Sequence, residues 1–101
     1  MAVEVRKTKQ FSTWIDALAD VKGRAKILVQ VDRLAVGNPG KAKSVGGGVS
    51  ELKIDFGPGY RVYFCRQDKT IIILLVGGDK KTQAADIRLA HELAEELGGG
   101  S

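Results

Sequence analysis

The sequence predicts an α+β fold of order β-α-α-β-β-β-α, with two helices packed on one face of a small, mostly antiparallel sheet and a C-terminal helix at the other side. Three observations carry this prediction. Apolar residues recur at helical spacing in two stretches before residue 40 and again near the C-terminus. Residues 51–64 alternate apolar and polar side chains on either side of Gly57-Pro58-Gly59, the pattern of two strands and a turn. Residues 70–76 form an unbroken β-branched and leucine run, as expected of a strand buried on both faces near the sheet centre.

Val3 and Val5 among polar neighbours predict a short first strand over residues 2–7. Phe11, Trp14, Ile15 and Leu18 fall at i, i+3, i+4 and i+7, an amphipathic helix for which Thr8 or Ser12 is the candidate cap. After a break at residues 20–23, Ile27, Leu28, Val31, Leu34 and Ala35 line one face of a second helix, which Gly37 and Pro39 end. Lys22, Lys26, Gln30 and Arg33 form a second stripe on that helix, read either as a solvated face or as a basic track for nucleic acid. Residues 38–48 carry Gly40 and Gly46-Gly47-Gly48. Glycine-rich loops can cradle phosphate, but this one lacks P-loop spacing and reads as a flexible connector. The hairpin follows, then a turn at Gln67-Asp68-Lys69, then the central strand, ended by Gly77-Gly78. Residues 79–82 start a last helix with Ile87, Ala90, Leu93, Ala94 and Leu97 on its apolar stripe.

A chain of 101 residues with 44% apolar content supports one domain, placed at residues 1–97, with residues 98–101 read as a Gly/Ser linker or tag remnant. The formal charge of +4 is uneven: residues 1–50 carry nine Lys/Arg against four Asp/Glu, residues 51–101 seven against eight. That asymmetry permits nucleic-acid binding through one surface without requiring it. Cys65 is the single cysteine, which excludes an intrachain disulfide and a zinc-type cluster and reads as a packing residue. Charges interrupt the N-terminus and the longest apolar run is too short to span a bilayer, so a cytoplasmic location without membrane contact is expected.

Within the hairpin, Leu52, Ile54 and Phe56 point to one face and Glu51, Lys53 and Asp55 to the other. If Phe56 and Tyr60 flank the turn as partners, Asp55 lies opposite Arg61 and Lys53 opposite Tyr63. A lysine, an arginine and a phenol then share a rigid sheet face, an arrangement suited to a phosphate-bearing ligand. Asp55 opposite Arg61 reads as a cross-strand ion pair that holds the arginine in place.

The element order, the block Glu51-Leu52-Lys53-Ile54 with Gly59-Tyr60-Arg61-Val62-Tyr63-Phe64, and Gly77-Gly78-Asp79-Lys80-Lys81-Thr82-Gln83 with Asp86-Ile87 resemble the RelE/ParE toxin superfamily. The match is closest to its HigB-like, phage-derived addiction module killer branch and covers residues 3–97. The resemblance implies the toxin of a type II toxin–antitoxin system. Most such toxins are ribosome-dependent endoribonucleases (mRNA interferases), which arrest growth by inhibiting translation; a minority, ParE-like, poison DNA gyrase. A weakly active module that mainly binds its antitoxin is a further alternative. The implied partners are the ribosome with its mRNA and a cognate antitoxin, often a helix-turn-helix protein encoded adjacently.

For the ribonuclease the resemblance implies attack of a ribose 2′-hydroxyl on the adjacent phosphate, with no cofactor and no metal. That chemistry needs a proton acceptor, cations on the phosphorane and a donor for the leaving oxygen. Arg61 matches the family's phosphate-binding arginine, and Lys53 stands where basic members place a catalytic lysine. Lys80 or Lys81 would hold the RNA backbone or stabilise charge, and Tyr63 would stack or donate a proton. Lys26 and Arg33 are further RNA-binding candidates. His91 is either an acid or base, in place of the C-terminal Tyr or His of the most active members, or an ordinary surface residue. Asp79 and Asp86 read as ordering the last helix.

Overall fold

The computed structural model describes residues 3–38 and 40–98. Its elements are β1 (Glu4–Lys7), α1 (Lys9–Ala17), α2 (Val21–Ala35), β2 (Ala42–Ser44), β3 (Val49–Ile54), β4 (Tyr60–Asp68), β5 (Ile71–Gly78) and α3 (Gln83–Gly98). One sheet runs β1-β5-β4-β3-β2. Only β1 with β5 is parallel; the other pairings are antiparallel. The α+β architecture with helices on both faces is the predicted one, with one addition: β2 lies inside the segment expected to be a connector. Three residues of Ala, Lys and Ser carry no β signature, and the strand exists because β3 offers it an edge.

Local chemistry sets the helix limits. Thr8 caps α1, its hydroxyl accepting from the Phe11 N–H, and Asp20 caps α2 by accepting from Gly23. At the C-terminus of α2, Asn38 N–H donates to Arg33 and Gly37 N–H to Leu34, with Gly37 at φ 88°, a Schellman ending that a residue with a Cβ adopts only under strain. The last helix starts at Gln83, later than predicted, because Asp79 folds residues 79–82 into a turn by accepting from the Lys81 and Thr82 N–H groups. It includes Gly98, which the sequence assigned to the tail; residues 2 and 99–101 lie outside the described residues.

Two apolar layers sandwich the sheet. Phe11, Ile15, Ile27, Val31 and Leu34 of the helix pair pack on Leu52, Ile54, Val62 and Phe64, the expected sheet face. On the other side Ala90, with Ile87 and Leu93 beside it, covers Tyr63, Val49, Ile73 and Leu75. Two expectations are corrected. Leu28 lies outside the buried stripe of α2 and is exposed, because Ile27, Val31 and Leu34 already define the face turned to the sheet. Gly77 and Gly78 do not terminate β5 but belong to it: a Cβ on Gly77 would meet the Trp14 ring at 2.1 Å, and one on Gly78 the Asp86 carboxylate at 1.8 Å.

Candidate functional site

The hairpin register differs from the predicted one. Ile54 pairs with Tyr60, which sets Lys53 directly opposite Arg61 and Glu51 opposite Tyr63. The turn takes up two more residues on its N-terminal side than assumed, Asp55 and Phe56, with Gly57 at φ 56° and Gly59 at φ 78°. On its other edge β4 pairs Arg61 with Gly78, two residues before Lys80. A Cβ on Gly59 would lie 3.2 Å from Arg61 Nη1 and 3.8 Å from Lys80 Cβ, and the Lys80 N–H donates to the Pro58 carbonyl at 3.5 Å. Lys53, Arg61 and Lys80, separated by up to 27 positions in sequence, thus meet at the turn end of the sheet.

Arg61 is only 6% exposed, and its partner is Glu51 rather than Asp55. Its Nε stands 3.6 Å from Glu51 Oε2 with no hydrogen bond, while Nη1 donates to the Gly59 carbonyl at 2.7 Å. Glu51, 1% exposed, also accepts from Gln83 Nε2 at 2.7 Å and from the Tyr63 hydroxyl at 3.2 Å. Its other oxygen faces Lys43 Nζ at 3.8 Å. Sequence reasoning placed Glu51 on the correct face but gave it no role. The signal available was its parity with Arg61 and Tyr63, which put a carboxylate where the last helix was expected to cover the sheet. Asp55 pairs instead with Lys41 and, at 3.7 Å, with Lys53; the Lys41 hydrogen bond is the main cause holding its carboxyl below the usual range.

Tyr63 is fully buried beneath α3, so no base can stack on its ring, and burial together with the neighbouring Glu51 pushes its phenol well above the ordinary value. This corrects the expectation that Tyr63 faces RNA. His91 lies elsewhere: its Nε2 is 3.0 Å from the Val45 carbonyl and its ring packs against Gly47. It stands eight residues beyond Gln83 on α3, about 12 Å along the axis from the residue that touches Glu51. The corner that unites Lys53, Arg61 and Lys80 therefore does not include His91. Lys80 and Lys81 are exposed and, among the described residues, carry no side-chain ion pair. Lys26 and Arg33 line a groove of about 560 Å³ between α2 and the outer edge of β3, which also touches Lys53. Lys26 Nζ sits 5.1 Å above the Phe56 ring.

The corner can do one thing well: present several cations, one rigid and buried, to an anion approaching the open end of the sheet. The fold around it is that of RelE-like proteins. It matches the free Escherichia coli toxin RelE, a double arginine-to-alanine mutant, with a TM-score of 0.68 at 14% identity over 87% of this chain and 97% of that one. It also matches a chain of the Mycobacterium tuberculosis toxin–antitoxin complex RelBE2 with a TM-score of 0.51 at 19% identity, over 79% of this chain and 100% of that one. In sequence, residues 13–96 match the phage-derived Gp49-like proteins (DUF891). The chain belongs to that family. An uncharacterized Haemophilus influenzae protein is 46% identical over 98 residues, 97% of this chain and 99% of that protein. Among the described residues no helix is long and apolar enough to cross a membrane.

Proposed function

We propose that the chain is the toxin of a type II toxin–antitoxin pair of the HigB-like kind, a cytoplasmic, ribosome-dependent endoribonuclease that cleaves mRNA by metal-independent 2′-hydroxyl attack. The convergence of Lys53, Arg61 and Lys80 at one end of the sheet is the observation that supports it. Arg61 is held rigid by Glu51 and Gly59, so it supplies a fixed charge beside the phosphate. Lys53 and Lys80 are exposed and can approach the phosphorane, and Lys81 extends the rim along the RNA backbone. With Tyr63 buried and His91 remote, proton transfer falls to the exposed lysines. Neutralisation is assigned to an adjacently encoded antitoxin of helix-turn-helix type.

Mapping of mRNA 5′ ends after brief induction tests the reading. New ends in translated messages are expected, and Lys53→Ala or Lys80→Ala should suppress them on the order of 10²-fold, the usual loss when one transition-state charge is removed. Arg61→Ala should do the same, but it needs a folding control because it leaves the buried Glu51 without its cation. Intact mRNA with induced DNA-damage signalling would replace this function with gyrase poisoning. Absence of any growth arrest would leave an antitoxin-binding module.

A further inference from the structure

Gln83 and Asp86, three positions apart in the first turn of α3, share one face of the helix and both reach the sheet. Gln83 Nε2 donates to Glu51 Oε2 at 2.7 Å, and the Tyr63 hydroxyl donates to the same oxygen at 3.2 Å. That oxygen is also the one 3.6 Å from Arg61 Nε. Two neutral donors thus fix the carboxylate, and the carboxylate fixes the guanidinium, which Nη1 ties to the Gly59 carbonyl as well. Asp86 serves the opposite flank. Its Oδ2 accepts from the Thr82 hydroxyl at 2.5 Å, and Thr82 Oγ1 in turn accepts from the Asp79 N–H at 3.3 Å. Asp79 Oδ1 accepts from the Lys81 and Thr82 N–H groups, closing the turn that carries Lys80 and Lys81. The Asp86 carboxylate has room there because Gly78, the residue paired with Arg61, lacks a Cβ: one would lie 1.8 Å from Oδ2 and 2.7 Å from Thr82 Oγ1.

We propose that Gln83 and Asp86 are the positioning residues of the cationic corner: Gln83 sets the Arg61 guanidinium through Glu51, and Asp86 sets the Lys80–Lys81 turn through Thr82 and Asp79. The inference rests on the ribonuclease reading for the reaction that the cations serve, but not for the positioning itself. Three observations favour positioning over plain support of the helix. An acidic side chain complements the open N–H groups of a first turn equally well from solvent. Asp86 instead lies against the strand backbone opposite Arg61. Gln83 is a neutral donor beside a buried carboxylate, where a cation would compete with Arg61 for Glu51; an amide holds the oxygen and leaves the charge to Arg61. The two chains of contacts start within one helical turn and end on cations from different elements, so the first turn of α3 fixes Arg61 and the lysines relative to each other. A phosphorane requires that spacing, and misplacement by about 1 Å can cost about a hundredfold in rate. Neither residue touches the RNA in this assignment; each acts through another.

Nitrogen-15 relaxation of the full chain reads the positioning directly, and mRNA cleavage on translating ribosomes reads its consequence. Gln83→Met keeps length and bulk but removes the donor. The order parameter of the Arg61 Nε–H bond should then fall from about 0.85, the rigid range, to below about 0.6. Asp86→Ala should do the same to the Lys81 and Thr82 amides, and Asp86→Asn should recover most of the loss, since its amide oxygen still accepts from Thr82. Burial is the main cause pushing the Asp86 carboxyl above the usual range, so a neutral side chain is tolerated there. Thr82→Val, at an exposed position of the same relay, should reproduce Asp86→Ala and keeps the test open if that variant unfolds. In cleavage, Gln83→Met and Asp86→Ala should each lower kcat on the order of tenfold with KM nearly unchanged. Most of the Asp86→Ala loss should vanish in a Lys80→Ala background, whereas a general loss of structure would multiply with that substitution. Unchanged order parameters in both Gln83→Met and Asp86→Ala would overturn the positioning whatever the activity. Cleavage lost in Asp86→Asn while its turn amides stay rigid would make Asp86 a group that acts on the RNA itself and overturn its half of the assignment. Loosened cations in the variants, with no cleavage by the wild-type chain, would remove the ribonuclease reading and leave the positioning standing.

Discussion

At the residue scale, Arg61 shows why alternation alone misreads a site. Counting faces put Arg61 and Tyr63 together correctly, but only the covering helix turns that face into an interior. There a carboxylate becomes obligatory, because an unpaired buried guanidinium is costly. Glu51 meets that requirement, and Gln83 ties the arrangement to α3. A second buried phenol makes a prediction. Tyr60 donates to Asp20 Oδ2 at 2.7 Å, and burial followed by the Asp20 contact pushes its phenol up to about 12 from 10.0. The folded state therefore holds this proton more tightly than the unfolded chain does. The resulting stability is fully present below pH 10 and is lost as pH rises from there to about 12. Urea midpoints should fall across that window, and Tyr60→Phe should flatten part of the fall, Tyr63 contributing in the same direction. Superimposable pH profiles of wild type and Tyr60→Phe would refute the linkage.

At the scale of elements, β5 was legible because residues 70–76 could hardly be anything but a central strand; its last two residues were not. Glycine pairs usually mark turns, and only the neighbouring helices reveal that Gly77 makes room for Trp14 and Gly78 for Asp86. The same limit applies to β2 and to the exposed stripe of α2. Both depend on which edge or face is left open after packing, and a periodicity count cannot report that. Gly77→Ala should accordingly destabilise the protein by about 3 kcal/mol, at the upper end for overpacking, because the Trp14 ring it would strike already lies against Phe11 and Tyr60. Chemical denaturation would measure it. A change below about 1 kcal/mol would mean that the indole moves aside.

At the scale of the whole molecule, strand composition was easier to read than strand neighbours. A place for β5 at or near the sheet centre was predicted, and it lies one strand in from the edge, but the parallel partner on its far side depends on a chain crossing that local patterns do not encode. That crossing is what shields the most apolar strand. Glu4 N–H donates to the Thr70 carbonyl, Thr8 N–H to Leu74 and the Thr8 hydroxyl to Leu75, so β1 and its flanks saturate the outer edge of β5. Without β1 the edge presents Ile71, Ile72, Ile73, Leu74, Leu75 and Val76, a run with no charge and no proline. Such a segment exposed on an edge pairs with copies of itself. Deleting residues 1–7 should therefore convert the protein into an aggregating species even though the helix pair and α3 keep their own sheet contacts. Light scattering of the refolded truncation should rise steeply with concentration, while the full-length protein stays clear at the same concentrations. A truncated chain that stays monomeric at the concentrations tolerated by the full-length protein would show that β1 is dispensable as a shield.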